Sequence, residues 1–320
     1  MPTTKHLVDH ALVPMLEELP QIPFNAETLP QIRAERLATQ AQATLAAPPF
    51  PDITVTRHTV PGPAGAPDVG VLVYAPASEP RPLPALLWIH GGGYVIGSAE
   101  GDDLNVKSMV RAVGCVAVSV DYRLAPEAPH PGPVEDCYAA LKWLSAEAEA
   151  LGVDAARIAI GGASAGGGLA AALALLARDR GEVPVAFQLL IFPMLDDRTA
   201  VATNPHPYTG EFVWTPEINY FGWSSLLGQA PGGEGVSPYA SAARAERLEG
   251  LPPAYISLGS LDLFLDEDLE YARRLTRAGV PTELHMYPGA YHGYLAVPDA
   301  WMSQAELRNV REALRRALHP

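Results

Sequence analysis

Residues 158–169, Ile-Ala-Ile-Gly-Gly-Ala-Ser-Ala-Gly-Gly-Gly-Leu, carry a short β-branched run into a glycine-bounded serine and out into an alanine-rich segment. Such a stretch reads as a strand, a sharp turn and a helix, which restricts the chain to folds where a sheet carries helices on its faces. Gly162, Ser164 and Gly166 form a Gly-x-Ser-x-Gly turn. Small neighbours there allow a strained backbone to lift one serine hydroxyl clear of the sheet edge. Taken alone, the same residues are equally a glycine-rich turn whose serine caps the following helix.

The flanking chain supplies the sheet. Ile53 and Val55, then Val69, Val71 and Val73, alternate around a Pro61-Gly62-Pro63 turn and predict a hairpin. Residues 84–90, 115–120, 157–160, 185–192, 255–258 and 282–287 are strand-like runs, and helical patterns fall at 103–112, 136–150, 265–278 and 300–318. Strands that alternate with helices imply parallel crossovers in one sheet, so eight strands in a mostly parallel sheet with helices on both faces are expected.

Two regions depart from this rhythm. Residues 1–50 are helical in pattern, with Leu7, Leu12, Leu16 and Leu19 on one segment and Ile32, Leu37 and Ala41 on a second after Pro30, closed by Pro-Pro-Phe-Pro at 48–51. Residues 194–238 are rich in Asp, Pro and Gly yet carry Tyr208, Phe212, Trp214, Tyr220, Phe221 and Trp223, as expected of an insertion over the sheet edge. The units are therefore 1–50, 51–193, 194–238 and 239–320.

Charge excludes some partners. With 22 Lys and Arg against 36 Asp and Glu, the net charge of −14 repels nucleic acid and acidic membrane surfaces. The most apolar segment, 163–177, contains three consecutive glycines. It is shorter than the roughly 18 residues of a membrane span, so no stable membrane insertion is expected. Asp9, Glu17 and Glu18 interrupt the N-terminal segment, which lacks the apolar core of a signal peptide. Cys115 in an apolar run and Cys137 in a helical pattern read as buried small hydrophobes in a reducing compartment, and the chain reads as cytoplasmic.

A nucleophilic serine needs a base, an acid to orient that base, and donors for the developing oxyanion. His292 follows the last strand-like run, where a loop could carry an imidazole over the turn. Asp262 follows the run at 255–258, with Asp266, Glu267 and Asp268 as competitors. Those three open a helix, where acids commonly complement the dipole and cap free amides, so Asp262 is preferred. His90-Gly91-Gly92-Gly93 closes the third run. Its glycines would bring the N–H groups of Gly91 and Gly92, with that of Ala165, to a carbonyl oxygen, and His90 would anchor them rather than act as a base. This chemistry requires no metal and no organic cofactor. A nucleotide-binding reading of Gly166-Gly-Gly168-Leu-Ala-Ala171 is weak because those glycines fall inside the helix.

Taken together, His90-Gly-Gly-Gly-Tyr94, Asp121-Tyr-Arg-Leu-Ala-Pro-Glu127, Val134-Glu-Asp-Cys-Tyr-Ala-Ala-Leu141, Gly162-Ala-Ser-Ala-Gly-Gly167, Asp262 with Asp266-Glu267, and His292-Gly293 resemble the bacterial hormone-sensitive-lipase-like esterases (family IV) of the α/β-hydrolase fold. The resemblance spans roughly residues 70–318. It implies Ser164, Asp262 and His292 as a catalytic triad, Gly91, Gly92 and Ala165 as an oxyanion hole, and a helical cap built from the N-terminal helices and the 194–238 insertion. The implied activity is hydrolysis of carboxylic esters of short to medium acyl chain, a small-molecule substrate. Tyr94, Trp214, Tyr220 and Phe221 are candidates for the substrate pocket, and aromatic residues of a cap serve equally as its own core. The chain departs from many relatives at Ala163, at Leu263 and at His130-Pro131. Related plant hormone receptors lack the catalytic histidine, and His292 favours an enzyme. The exposed last strand and last helix leave a homodimer open.

Overall fold

The computed structural model describes residues 3–18, 23–46 and 49–319. Leu19, Ile22 and Pro48, and the side chain of Ala41, lie outside what is described. Among the described residues, Ile53–Val60 (β1), Val69–Pro76 (β2), Leu83–Ile89 (β3), Val116–Asp121 (β4), Val153–Ala163 (β5), Phe187–Ile191 (β6), Ala254–Gly259 (β7) and Thr282–Tyr287 (β8) form one eight-stranded sheet. Its order is β1-β2-β4-β3-β5-β6-β7-β8. The first two strands are the expected hairpin, paired antiparallel from Ile53↔Pro76 to Val60↔Val69, and β2 pairs antiparallel with β4. All later pairings are parallel.

The alternation along β3 explains why helices cover both faces. Leu83, Ala85, Leu87 and Ile89 enter one core, Leu86 and Trp88 the other, and all six are buried. Each of the leucine and isoleucine side chains contributes about 1.5–3 kcal/mol when fully removed from water, so neither face can be left open.

The helices are Val13–Glu17 (α1), Leu29–Ala46 (α2), Asp103–Val113 (α3), Gly132–Ala146 (α4), Ala148–Leu151 (α5), Ala165–Arg180 (α6), Pro216–Leu227 (α7), Leu265–Arg277 (α8) and Trp301–Leu318 (α9). Residues of α4, α6 and α8 fill one core, and those of α3 and α9 the other. Cys137 lies in the first and Cys115 in the second; both are free and buried, and burial pushes the Cys115 thiol up to about 12. No helix among the described residues is long and apolar enough to cross a membrane.

Three elements differ from the sequence expectation. The first N-terminal helix is only Val13–Glu17, because Pro14 is tolerated in the first turn alone and blocks extension towards Leu7. The helix expected at 136–150 starts at Gly132 and breaks at Glu147. Strand β5 runs on both sides of 157–160 because backbone pairing with β3 continues past its partly exposed residues, through a register shift between Leu83 and Ala85.

The chain reverses direction across the sheet at β3 and β5: β3 has β4 on one side, and β5 has β6 on the other. In open parallel sheets, ligand crevices form at such a switch point, outside the carboxyl ends of the strands. Ile89 and Gly162 are paired there, so the loop after β3 and the turn after β5 emerge side by side.

Candidate active site

Ser164 occupies the turn between β5 and α6 with φ 55° and ψ −123°. A non-glycine residue reaches that conformation only when its surroundings enforce it. The Ser164 amide donates to the Ile191 carbonyl at 2.9 Å, and the Ser164 carbonyl accepts from Gly168 at 2.9 Å and from Met194 at 3.0 Å. The flanking glycines have a steric reason. A Cβ on Gly162 would stand 2.4 Å from the Gly166 carbonyl carbon, and one on Gly166 would stand 2.1 Å from the Ile89 carbonyl oxygen. Gly167 and Gly168 likewise press against Pro193 and the Met194 carbonyl. The glycine run inside α6 therefore seats a helix on strands, and the nucleotide-binding reading has no support from it.

The loops after β7 and β8 bring Asp262 and His292 to the serine. A Cβ on Gly259 would meet the Ala290 carbonyl at 2.3 Å, and the Leu261 amide donates to that same carbonyl at 2.9 Å. His292 Nε2 lies 2.9 Å from Ser164 Oγ, and its Nδ1 lies 2.8 Å from Asp262 Oδ2. The other Asp262 oxygen accepts from the Phe264 amide at 3.0 Å. Asp262 is fully buried, His292 is 5% exposed and Ser164 8% exposed. With Nδ1–H directed at the carboxylate, Nε2 is left as the acceptor facing the hydroxyl, which is the tautomer a general base requires.

The competing acids go elsewhere. Asp266 is exposed. Glu267 and Asp268 lie in the first turn of α8, where a helix start is expected, and both are buried. Glu267 accepts from the Leu195 and Asp196 amides and from the Thr199 hydroxyl, tying the segment after β6 to α8. Burial pushes its carboxyl well above the ordinary range. Asp268 has no partner on either carboxyl oxygen among the described residues.

Beside the serine, His90-Gly91-Gly92-Gly93 forms a tight turn in which the Gly92 carbonyl accepts from Val95 at 3.1 Å and from Ile96 at 3.0 Å. A Cβ on Gly91 would come within 2.8 Å of the Ala163 carbonyl oxygen, which is how closely this loop approaches the elbow. The amides of Gly91, Gly92 and Ala165 donate to no backbone carbonyl among the described residues outside regular helix and strand bonding. His90 is buried, stacks on Tyr122 with ring centroids 4.2 Å apart, and places Nδ1 2.8 Å from the Gly91 carbonyl oxygen. The Tyr122 hydroxyl donates to the His90 carbonyl at 2.9 Å. Desolvation holds this imidazole below the usual histidine range, which suits a neutral anchor.

The four aromatic candidates separate. Trp214 is 7% exposed, with its ring 6.0 Å from that of His292, and a Cβ on Gly93 would strike its Cη2 at 2.1 Å. Phe24 of the N-terminal region meets Trp214 at 6.1 Å and Phe221 at 5.9 Å. Tyr220, by contrast, is 43% exposed. Tyr94 is fully buried, bonded to the Met194 carbonyl at 3.0 Å and packed on Trp223, so it faces the core. Sequence reasoning passed over Phe192 and Phe264. Each sets its ring 5.0 Å from His292 in an edge-on arrangement, and Phe192 does so from a strained φ of 33°. A Phe-Pro pair closing a strand was the only signal available for Phe192. A separate cavity of about 750 Å³ lies between residues 196–209 and α8, and neither Ser164 nor His292 lines it.

Comparison with known proteins identifies the family and the fold. A model of the family described as the alpha/beta hydrolase fold, Abhydrolase_3, matches residues 86–296. The chain is 36% identical over 323 residues to the carboxylesterase NlhH of Mycobacterium tuberculosis, covering 98% of this chain and 97% of that one. It is 34% identical over 279 residues to esterase LipI of the same species, with 85% of each covered. Among solved structures, a bacterial heroin esterase superposes with a TM-score of 0.93 at 42% identity over 99% of both chains. Esterase LipW from Mycobacterium marinum does so at 0.88 and 35% identity, over 99% of this chain and 98% of that one.

Proposed function

The chain belongs to the hormone-sensitive-lipase-like α/β-hydrolase family and is a carboxylic ester hydrolase, and we propose that it cleaves short- to medium-chain acyl esters through an acyl-enzyme on Ser164. The observation that carries the mechanism is the single imidazole of His292 held between the Ser164 hydroxyl and the Asp262 carboxylate. His292 takes the hydroxyl proton as Ser164 attacks the ester carbonyl, then delivers it to the departing alcohol. Water repeats the attack on the acyl-enzyme with the same proton traffic. Asp262 fixes the tautomer and stabilises the imidazolium. The tetrahedral oxyanion is received by the amides of Gly91, Gly92 and Ala165, and each such donor carries on the order of 10²-fold or more in turnover.

The preference for shorter acyl chains rests on Trp214. Its ring lies against both His292 and Gly93 and is backed by Phe24, so it limits the room beside the reacting carbonyl. Residues 1–50 and 194–238 act as one cap over a core made of 51–193 and 239–320. Thr3 and Thr4 bond to Glu211, and Phe24 packs on Trp214 and Phe221, in support of that division. The enzyme works in the cytoplasm, where the two unpaired, buried cysteines stay reduced.

The deciding experiment is Ser164→Ala assayed with p-nitrophenyl butyrate, alongside a wild-type panel from p-nitrophenyl acetate to palmitate. The variant is expected to lose hydrolysis and fluorophosphonate labelling while its thermal midpoint stays within a few degrees, and the wild type to be fastest on the shorter chains. Full activity in the variant would sink the role of Ser164. A maximum at palmitate would sink the chain-length assignment alone.

A further inference from the structure

Arg33 lies on α2, which buries little of residues 29–40: Leu29 is buried, Ile32 and Arg33 are partly so, and Leu37 is 60% exposed. The Arg33 guanidinium nonetheless spans a long distance in sequence. Its Nε donates to the Val95 carbonyl at 2.8 Å, one Nη donates to the Ala125 carbonyl at 2.9 Å, and both Nη atoms reach the Glu127 carboxylate at 2.7 and 2.9 Å.

The Glu127 contact resembles a latch for the cap. Glu127 is 64% exposed, and an ion pair with one exposed partner contributes only about 0–1 kcal/mol. The two carbonyls differ. Val95 and Ala125 are fully buried in a small cluster with Leu29 and Ile96, and a buried carbonyl without a donor is costly. Val95 also belongs to the glycine turn itself, because its amide and that of Ile96 both donate to the Gly92 carbonyl. The Ala125 amide in turn donates to the Tyr94 carbonyl at 2.9 Å. Arg33 therefore grips both ends of the segment that shapes Gly92.

We propose that Arg33 is a positioning residue for ester hydrolysis: from the N-terminal cap helix it holds the Val95 and Ala125 carbonyls, and through them the curvature that aims the Gly91 and Gly92 amides at the oxyanion. This rests on the reading of those amides as the oxyanion hole. It couples seating of the cap to transition-state stabilisation, so an unseated α2 leaves Ser164 and His292 in place with a poorly aimed hole.

The test compares wild type, Arg33→Met, Arg33→Lys and Glu127→Gln. Each is assayed for kcat and KM with p-nitrophenyl butyrate and for affinity towards an alkyl trifluoromethyl ketone, whose serine adduct carries the oxyanion. Arg33→Met is expected to lower kcat by about 10- to 100-fold, as a small misplacement of catalytic groups does, with KM changed less than about threefold. Its affinity for the trifluoromethyl ketone should fall by the same factor as kcat. Glu127→Gln leaves both carbonyl bonds and should retain kcat within about threefold, whereas Arg33→Lys, which loses the fork, should fall in between.

A raised KM with unchanged kcat in Arg33→Met would overturn the proposal and leave a plain cap latch. So would a loss in Glu127→Gln as large as that in Arg33→Lys, a comparison that decides the matter even when Arg33→Met does not fold. Unchanged ketone affinity in the Arg33 variants also refutes it, provided the wild type prefers the trifluoromethyl ketone to the plain methyl ketone. Absence of that preference in the wild type would instead remove the oxyanion reading on which the proposal stands.

Discussion

His292 Nδ1 stands 2.8 Å from the fully buried Asp262 at Oδ2, whereas Asp266 is exposed on the first turn of α8. Only Asp262 is placed to fix the tautomer. Asp262→Asn is expected to reduce kcat by on the order of 10⁴-fold, because an amide donor in place of the acceptor turns the imidazole to its wrong tautomer. Asp266→Asn should keep kcat within about twofold, since surface changes away from a site have small effects. Steady-state kinetics of the two variants with p-nitrophenyl butyrate measure the contrast, and equal losses would count against the assignment.

The elbow gives a steric prediction. Gly166→Ala would put a methyl 2.1 Å from the Ile89 carbonyl oxygen and 2.5 Å from that of His90, backbone atoms at the end of β3 and the start of the glycine loop. The backbone has to move apart there, which costs about 1–3 kcal/mol or more and shifts the serine relative to the loop. Gly233→Ala is the control, because nothing lies within 4 Å of a Cβ at that position. Differential scanning fluorimetry and kcat should both fall for Gly166→Ala and hold for Gly233→Ala.

What was legible in the sequence was whatever local pattern controls. The apolar run of β3 alternates between two cores, so its burial on both faces and its parallel neighbours follow from residue type alone. Ser164, Asp262 and His292 each sit just past a strand, and the parallel order of β5, β6, β7 and β8 turns three positions in the chain into one cluster. Illegible were features that depend on which segment packs on which. Glu267 looks like an ordinary helix-start acid, yet it serves the amides of Leu195 and Asp196, which belong to another loop. Tyr94 follows three glycines at the site, but its positive φ of 68° and its bond to Met194 turn it into the core. Nothing in the composition of α2 marks Arg33 as a partner of residues 95 and 125.

Trp214 offers a test of chain-length control. Its indole is fixed by a bond from Nε1 to Asn219 Oδ1 at 3.1 Å and by contact with Phe24, so it does not swing aside without cost. Trp214→Leu keeps the wall apolar but removes most of the ring. The ratio of kcat/KM for p-nitrophenyl octanoate over butyrate is expected to rise by about tenfold, the scale on which a pocket discriminates added methylenes. A ratio unchanged from the wild type would place the acyl chain elsewhere.

Asp268 predicts how stability responds to pH. It is fully buried, lacks a partner on either oxygen among the described residues, and lies near the carboxyls of Glu267 and Asp262. Burial, followed by those two neighbours, holds its folded-state pKa well above the ordinary 3.8. Over the interval between the unfolded and folded values the native state binds the extra proton. The contribution of Asp268 to stability is thus fully present below the unfolded pKa and is lost as pH rises through the folded one. Asp268→Asn cannot titrate, so whatever constant offset its amide introduces, it escapes that loss. As pH rises above the ordinary carboxylate range, the thermal midpoint of the wild type, taken relative to that of the variant, is expected to decline. Midpoints measured at several pH values check this directly: curves that stay parallel would mean that the Asp268 carboxyl is ionised in the folded enzyme, with a partner to hold its charge.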